Sequence, residues 1–176
     1  KSLSMLVDVN PCKIKLKKDL ENLDGLILPG GESTTIGKLL KIYNMFDTLK
    51  EKIEDGLPVW GTCAGMILLA NDIVDENIVY LGVLNASVKR NAYGSQLDSF
   101  YSKAAIKQIS KNEIPLVFIR APWINKISDD VEILLKIDDK IVAVKEHNIL
   151  ATSFHPELTD SLEFHKYFVE ICKNKS

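Results

Sequence analysis

Short apolar runs closed by glycine or proline alternate along this chain with stretches where apolar residues recur every three to four positions. Residues 23–28 (LDGLIL), 57–60 (LPVW) and 116–120 (LVFIR) read as buried strands. Each ends on small or turn residues: Pro29-Gly30-Gly31, Gly61, and Ala121-Pro122. Helices are expected over 34–43, 45–54, 64–71 and 161–172, the last because Leu162, Phe164, Phe168 and Val169 can share one face. Between 131 and 154 the pattern turns to β. EILLKI and KIVAVKEH flank Asp138-Asp139, and NILATSF follows, so a short antiparallel region carries the chain to His155. Strands alternating with helices predict an α/β protein with a mostly parallel sheet. In such sheets ligands gather at the strand ends.

With 176 residues, 46% hydrophobic and 26% charged, the chain suits one domain over 1–176 with a real core. The net charge of -2 and the scattered lysines disfavour nucleic acid as a partner; the densest group, Lys13, Lys15, Lys17 and Lys18, is interleaved with Ile14 and Leu16. No apolar run approaches the roughly 18 residues that span a bilayer, and no basic-then-apolar leader opens the chain, so no membrane association and a cytoplasmic location are expected. The chain opens at Lys1 without methionine, and some N-terminal sequence is expected to precede it. Cys12, Cys63 and Cys172 are odd in number and form no C-x-x-C pair, which suggests neither a disulfide framework nor a zinc site.

The sharpest chemical signal is Trp60-Gly61-Thr62-Cys63-Ala64-Gly65, a strand running through G-x-C-x-G into an apolar helix. This is the cysteine form of a nucleophile elbow. Flanking glycines allow a tight turn that projects the thiol, and the helix N-terminus favours thiolate. Cys12 and Cys172 lack this setting and read as small buried side chains. A thiol nucleophile needs a base, and His155 in Ser153-Phe154-His155-Pro156-Glu157 offers one. Pro156 biases His155 to an extended conformation, in which Glu157 can lie beside the imidazole and fix its tautomer. His147 and His165 read as surface or packing residues. The turn Pro29-Gly30-Gly31-Glu32-Ser33-Thr34 could bring backbone N–H groups to a developing negative charge, or could be a plain strand-to-helix turn capped by Ser33 or Thr34. Of 22 basic residues only Arg90 and Arg120 are arginine, which points to bidentate pairing with a substrate carboxylate or a structural one.

LPGGEST at 28–34, GTCAG at 61–65, RNAYGSQ at 90–96 followed by DSF, FIRAP at 118–122 and FHPEL at 154–158 together resemble the glutaminase subunit family of pyridoxal 5'-phosphate synthase, within the class I glutamine amidotransferases. The motifs cover almost the entire chain. The resemblance implies a flavodoxin-like three-layer sandwich. It also implies that Cys63 attacks the side-chain amide of L-glutamine, with His155 as base and then acid and Glu157 orienting it. Backbone N–H groups of Gly31 and Ala64 would form the oxyanion hole. Glutamine would be held by Gly31, Glu32, Ser33, Arg90, Ile119 and Arg120. Ammonia would pass to a (β/α)8-barrel synthase subunit; pyridoxal phosphate is then a product of the complex, and this chain carries no cofactor and no metal. The sequence departs from the family twice. The usual first strand, of the form IGVLALQG, is missing from the given residues, with SLSML as the remains of the first helix, and Ser95 stands where arginine is common.

Three other readings compete. One is another class I amidotransferase glutaminase. A second is a cysteine hydrolase of the DJ-1/PfpI group, which shares the elbow but typically places histidine directly after the cysteine or on another loop; here Ala64 follows. The third is a regulatory domain whose chemistry is idle, against which Cys63, His155 and Glu157 are all intact.

Overall fold

The computed structural model describes residues 2–90 and 99–174. Ser95 and most of the RNAYGSQ motif fall outside the described residues. In chain order the elements are β1 (Leu26–Leu28), α1 (Ser33–Ile42), α2 (Phe46–Glu54), β2 (Val59–Thr62), α3 (Ala64–Leu69), β3 (Ala70–Ile73), β4 (Leu84–Lys89), β5 (Ser99–Ile106), β6 (Ser110–Ile119), β7 (Trp123–Ile127), β8 (Glu132–Ile137), β9 (Lys140–Glu146), β10 (Ile149–Thr152) and α4 (Glu163–Lys173). Short 3-10 turns occupy Leu3–Met5, Lys17–Leu20 and Pro156–Leu158.

The flavodoxin-like α/β arrangement is adopted. The main sheet runs β1-β2-β10-β9-β7-β4-β3, with β8 beside β9. Its site-bearing part, β1-β2-β10, is parallel, and so is β3 with β4. β9, β7 and β8 attach antiparallel; β8 and β9 lie in the region where the sequence changes to hairpin patterning, and β7 precedes it. β5 and β6 form a separate two-stranded arm.

Side-chain alternation along the central strands builds two cores, one on each face. Val59, Ile149, Ala151 and Val144 join one cluster with Leu40, Leu49 and Ile53 of α1 and α2. Trp60, Leu150 and Ala143 point the other way, to Phe164 and Phe168 of α4 and to Phe118 and Phe154. On this second face the rings form a continuous run. Phe100 stacks on Phe118 at 4.4 Å, Phe118 meets Phe154 at 5.6 Å, Phe154 meets Phe164 at 4.9 Å, and Phe164 lies 6.1 Å from Trp60. Such pairs each add about 0.5–1.5 kcal/mol beyond their burial, and they fix the backbone immediately before His155.

Several sequence expectations shift. The strand expected at 57–60 lies at Val59–Thr62 and so runs directly into Cys63. The helix expected over 64–71 stops at Leu69, and the chain enters β3 at once. The polar pair that follows explains this: Asn71 donates to Asn85 and Asp72 accepts from Ser87, so both gain more from the neighbouring strand than from a further helical turn. SLSML forms a single 3-10 turn at Leu3–Met5, without buried residues.

The two glycines of the elbow act differently from the expectation that they supply the turn. Neither has a positive φ; that conformation falls on Cys63 itself, at φ 50° and ψ -106°. Instead they permit close approach. A Cβ on Gly65 would lie 2.1 Å from the Leu28 carbonyl oxygen, and one on Gly61 would lie 2.5 Å from the Gly65 carbonyl carbon. Gly65→Ala is therefore expected to lever α3 off β1 and to destabilise the protein by about 1–3 kcal/mol or more. The check is a lower urea midpoint with an unchanged slope.

Candidate active site

Cys63 closes β2 and stands at the N-cap position of α3. Its left-handed backbone, unusual for a residue with a Cβ, is held from both sides: its N–H donates to Thr152 O at 2.8 Å, and its carbonyl accepts from Met66 N at 3.0 Å. The side chain is 8% exposed. It therefore lies at the floor of the site and is still open to a small ligand. The Sγ–H donates to Ile119 O at 3.8 Å.

His155 comes from the next strand over. β10 pairs with β2 in parallel register, Thr152 opposite Thr62, so the chain leaving β10 passes the end of β2. His155 N–H donates to Val117 O of β6 at 2.8 Å, and Gly30 leaves the room that the ring fills, since a Cβ there would lie 2.4 Å from His155 Cε1. Nδ1 lies 2.8 Å from Glu157 Oε1. The spacing works as expected, but through a different geometry. His155 is extended (φ -107°, ψ 86°), whereas Glu157 lies in the 3-10 turn Pro156–Leu158 that follows. That turn brings the carboxylate back beside the ring.

With Nδ1 engaged by Glu157, Nε2 is left for the sulfur. Hydrogen bonding to Cys63, then to Glu157, raises the His155 pKa to about 10 against the opposing effect of burial. For Glu157, burial opposes the charge, but the hydrogen bond from His155 and the nearby positive charge outweigh it and hold the carboxyl below its ordinary value. At neutral pH these contacts favour the protonated imidazole.

The turn after β1 forms the adjoining wall. Gly31 has φ +138°, a conformation that suits glycine. The N-cap of α1 is Glu32, whose Oε1 accepts from Thr34 N at 3.4 Å, so neither Ser33 nor Thr34 takes that role. Ser33 is 2% exposed and its hydroxyl has no partner among the described residues. Arg90 reaches the same turn, with Nη1 3.8 Å from Glu32 Oε1. Ile119 contributes its carbonyl to the sulfur. Arg120 is exposed with φ 44°, and Ala64 is buried directly after Cys63.

Of the other candidates, Cys12 is exposed rather than buried, and Cys172 is half-buried beneath Gly25. His165 is buried on α4 with its ring edge against Trp60 at 5.2 Å, a packing role, and burial lowers its pKa. His147 sits in the turn between β9 and β10. Among the described residues no group of three or more His, Cys, Asp or Glu could hold a metal ion, and no helix is long and apolar enough to cross a membrane. No sequence motif signals the supports that Thr152 and Val117 give to Cys63 and His155, or those that Glu76 (2.8 Å from Nε) and the Tyr80 hydroxyl (3.1 Å from Nη2) give to Arg90. The first two act through backbone carbonyls, which any residue offers, and the last two lie in a connection without a motif.

Residues 5–174 match the SNO glutamine amidotransferase family. A pyridoxal 5'-phosphate synthase subunit PdxT of Clostridium botulinum is 56% identical over 176 residues, covering 99% of this chain and 91% of that protein. A protein of the same name from Clostridium acetobutylicum is 58% identical over 161 residues, covering 92% and 87%. A solved structure described as a glutamine amidotransferase superposes with a TM-score of 0.91 at 41% identity, over 98% of this chain and 90% of that one.

The charge arrangement has a signature in stability. His155 is raised above its ordinary value of 6.5, so its contribution is complete below about pH 6.5 and is lost as pH rises to about 10. Glu157 is lowered, so its contribution is present above its ordinary value of 4.5 and is lost as pH falls through its folded-state value. The melting temperature of the wild type should therefore exceed that of His155→Gln most near pH 6. Scans of both proteins from pH 6 to 10 should show the gap narrowing steadily.

Proposed function

The chain belongs to the SNO glutamine amidotransferase family, and from that membership we propose that it hydrolyses L-glutamine through Cys63 and passes the ammonia to a pyridoxal 5'-phosphate synthase. One observation carries the assignment of roles: the meeting of Cys63, His155 and Glu157 at the ends of adjacent parallel strands.

The sulfur, deprotonated by His155, attacks the side-chain amide carbon of glutamine. The carbonyl oxygen becomes an oxyanion, received by the backbone N–H groups of Gly31 and Ala64. His155 then delivers its proton to the amide nitrogen, the C–N bond breaks, and ammonia leaves with a γ-glutamyl thioester on Cys63. Water, losing a proton to His155, attacks the thioester; the C–S bond breaks, glutamate departs and the thiol is restored. Glu157 stabilises the imidazolium at each stage. Because the His155 pKa is raised to about 10, the imidazole retains the proton it takes from the sulfur until the amide nitrogen receives it.

Glu32 and Ser33, which continue the turn from Gly31, and Arg90, which reaches that turn from the end of β4, would hold the amino-acid end of the substrate together with Ile119 and Arg120. The ammonia acceptor is a (β/α)8-barrel synthase subunit, in keeping with the relatives named pyridoxal 5'-phosphate synthase subunit. Pyridoxal phosphate is then the product of that assembly and no group carried by this chain. A single amidotransferase domain over 1–176, located in the cytoplasm, completes the reading.

The test is glutamate release from glutamine in the presence of the synthase subunit. Cys63→Ala should reduce it to background, and persistence of the reaction would exclude the thioester route. Glu157→Gln, which keeps the shape and removes the charge, should lower kcat by about 10²-fold or more.

A further inference from the structure

Arg90 has two carboxylates competing for it. Its Nε lies 2.8 Å from Glu76 Oε1, its Nη2 donates to the Tyr80 hydroxyl at 3.1 Å, and its Nη1 stands 3.8 Å from Glu32 Oε1. The Nε–H is not aligned on Glu76, so this short contact is an ion pair more than a directed hydrogen bond. The Arg90 side chain is 20% exposed, Glu76 32% and Glu32 68%. The tighter partner is thus also the better shielded one, and solvent screens it less. Tyr80 is itself fixed. Its ring fills the space above Gly37, where a Cβ would lie 2.5 Å from the ring, and its hydroxyl donates to Thr34 Oγ1 at 3.3 Å.

We propose that Glu76, with Tyr80, is a positioning residue that limits Arg90 to a loose ion pair with Glu32, one that the carboxylate and the ammonium of an α-amino acid can readily replace. This rests on the glutaminase reading above and deepens it. An arginine side chain loses much rotamer freedom when it is fixed, and a guanidinium left free beside Glu32 would close the nearest ion pair. That pair would consume both groups meant for the substrate, and glutamine would have to break it to bind. Glu76 weakens this competition in advance by occupying the Nε edge, while Tyr80 takes one Nη2 proton. Nη1 and the second Nη2 proton then form the edge that can take a carboxylate. None of these groups touches the scissile amide, so the effect falls on binding and leaves the chemical step alone.

The experiment measures glutamine-dependent glutamate release with the synthase subunit present. Absence of this activity in the wild type would overturn the glutaminase reading itself and is seen before any variant is examined. Given activity, Glu76→Gln is expected to raise KM for glutamine about fivefold or more with kcat within about twofold. Tyr80→Phe, which keeps the ring and loses the hydroxyl, should shift KM the same way by less. In an Arg90→Ala background Glu76→Gln should add nothing, because its effect runs through the guanidinium. An unchanged KM in both Glu76→Gln and Tyr80→Phe overturns the proposal. So does a fall in kcat at constant KM, or an equal KM rise with and without Arg90.

Discussion

The parallel pairing of β2 with β10 is the constraint from which the rest of the site follows. Thr152 opposite Thr62 sets the register, and the Thr152 carbonyl then receives the Cys63 N–H. A thiol and an imidazole far apart in sequence thereby leave the sheet at the same height, on neighbouring strands. A slip of one residue would turn the side chains of β10 to the opposite faces, exchanging Leu150 and Ala151 between two cores that each have room for only one of them. The chemistry is thus secured by hydrophobic packing well away from it.

Around that register the chain assigns strain and support to different residues. Cys63 carries the unfavourable backbone conformation, while Gly61 and Gly65 let α3, β2 and β1 approach closely enough to hold it. Gly30 serves His155 in the same sense, by leaving space for the ring. The imidazole is locked electrostatically by Glu157 and mechanically by Phe154, which sits in a run of rings reaching from β5 to α4. Hydrogen bonds to Cys63 on one side and Glu157 on the other account for the preference of His155 for the charged state.

Much of this was legible in the residues. G-x-C-x-G, H-x-E and the glycine turn name the chemistry because each encodes a local geometry, and the apolar runs at β1, β2 and β6 are dense enough to read as strands. The unread parts have physical reasons. β3 follows α3 without a turn, so neither glycine nor proline marks the change, and only the pairing of Asn71 and Asp72 across to β4 separates strand from helix. The H-x-E pair suggests extended chain, yet Glu157 lies in a 3-10 turn; both geometries place the residues side by side, and spacing alone does not distinguish them. The cap of α1 fell to Glu32 over Ser33 and Thr34 because the carboxylate reaches back to Thr34 N while Ser33 is turned inward. Glu76 was silent because a carboxylate in a connecting loop has many uses.

The β5–β6 arm belongs to no other sheet, yet it touches both reacting groups: Ile119 O meets the sulfur, and Val117 O holds the backbone of His155. The two contacts lie only two residues apart on one ladder, so a single hairpin answers for both reactants: whatever displaces it withdraws the sulfur's acceptor and the imidazole's backbone anchor together.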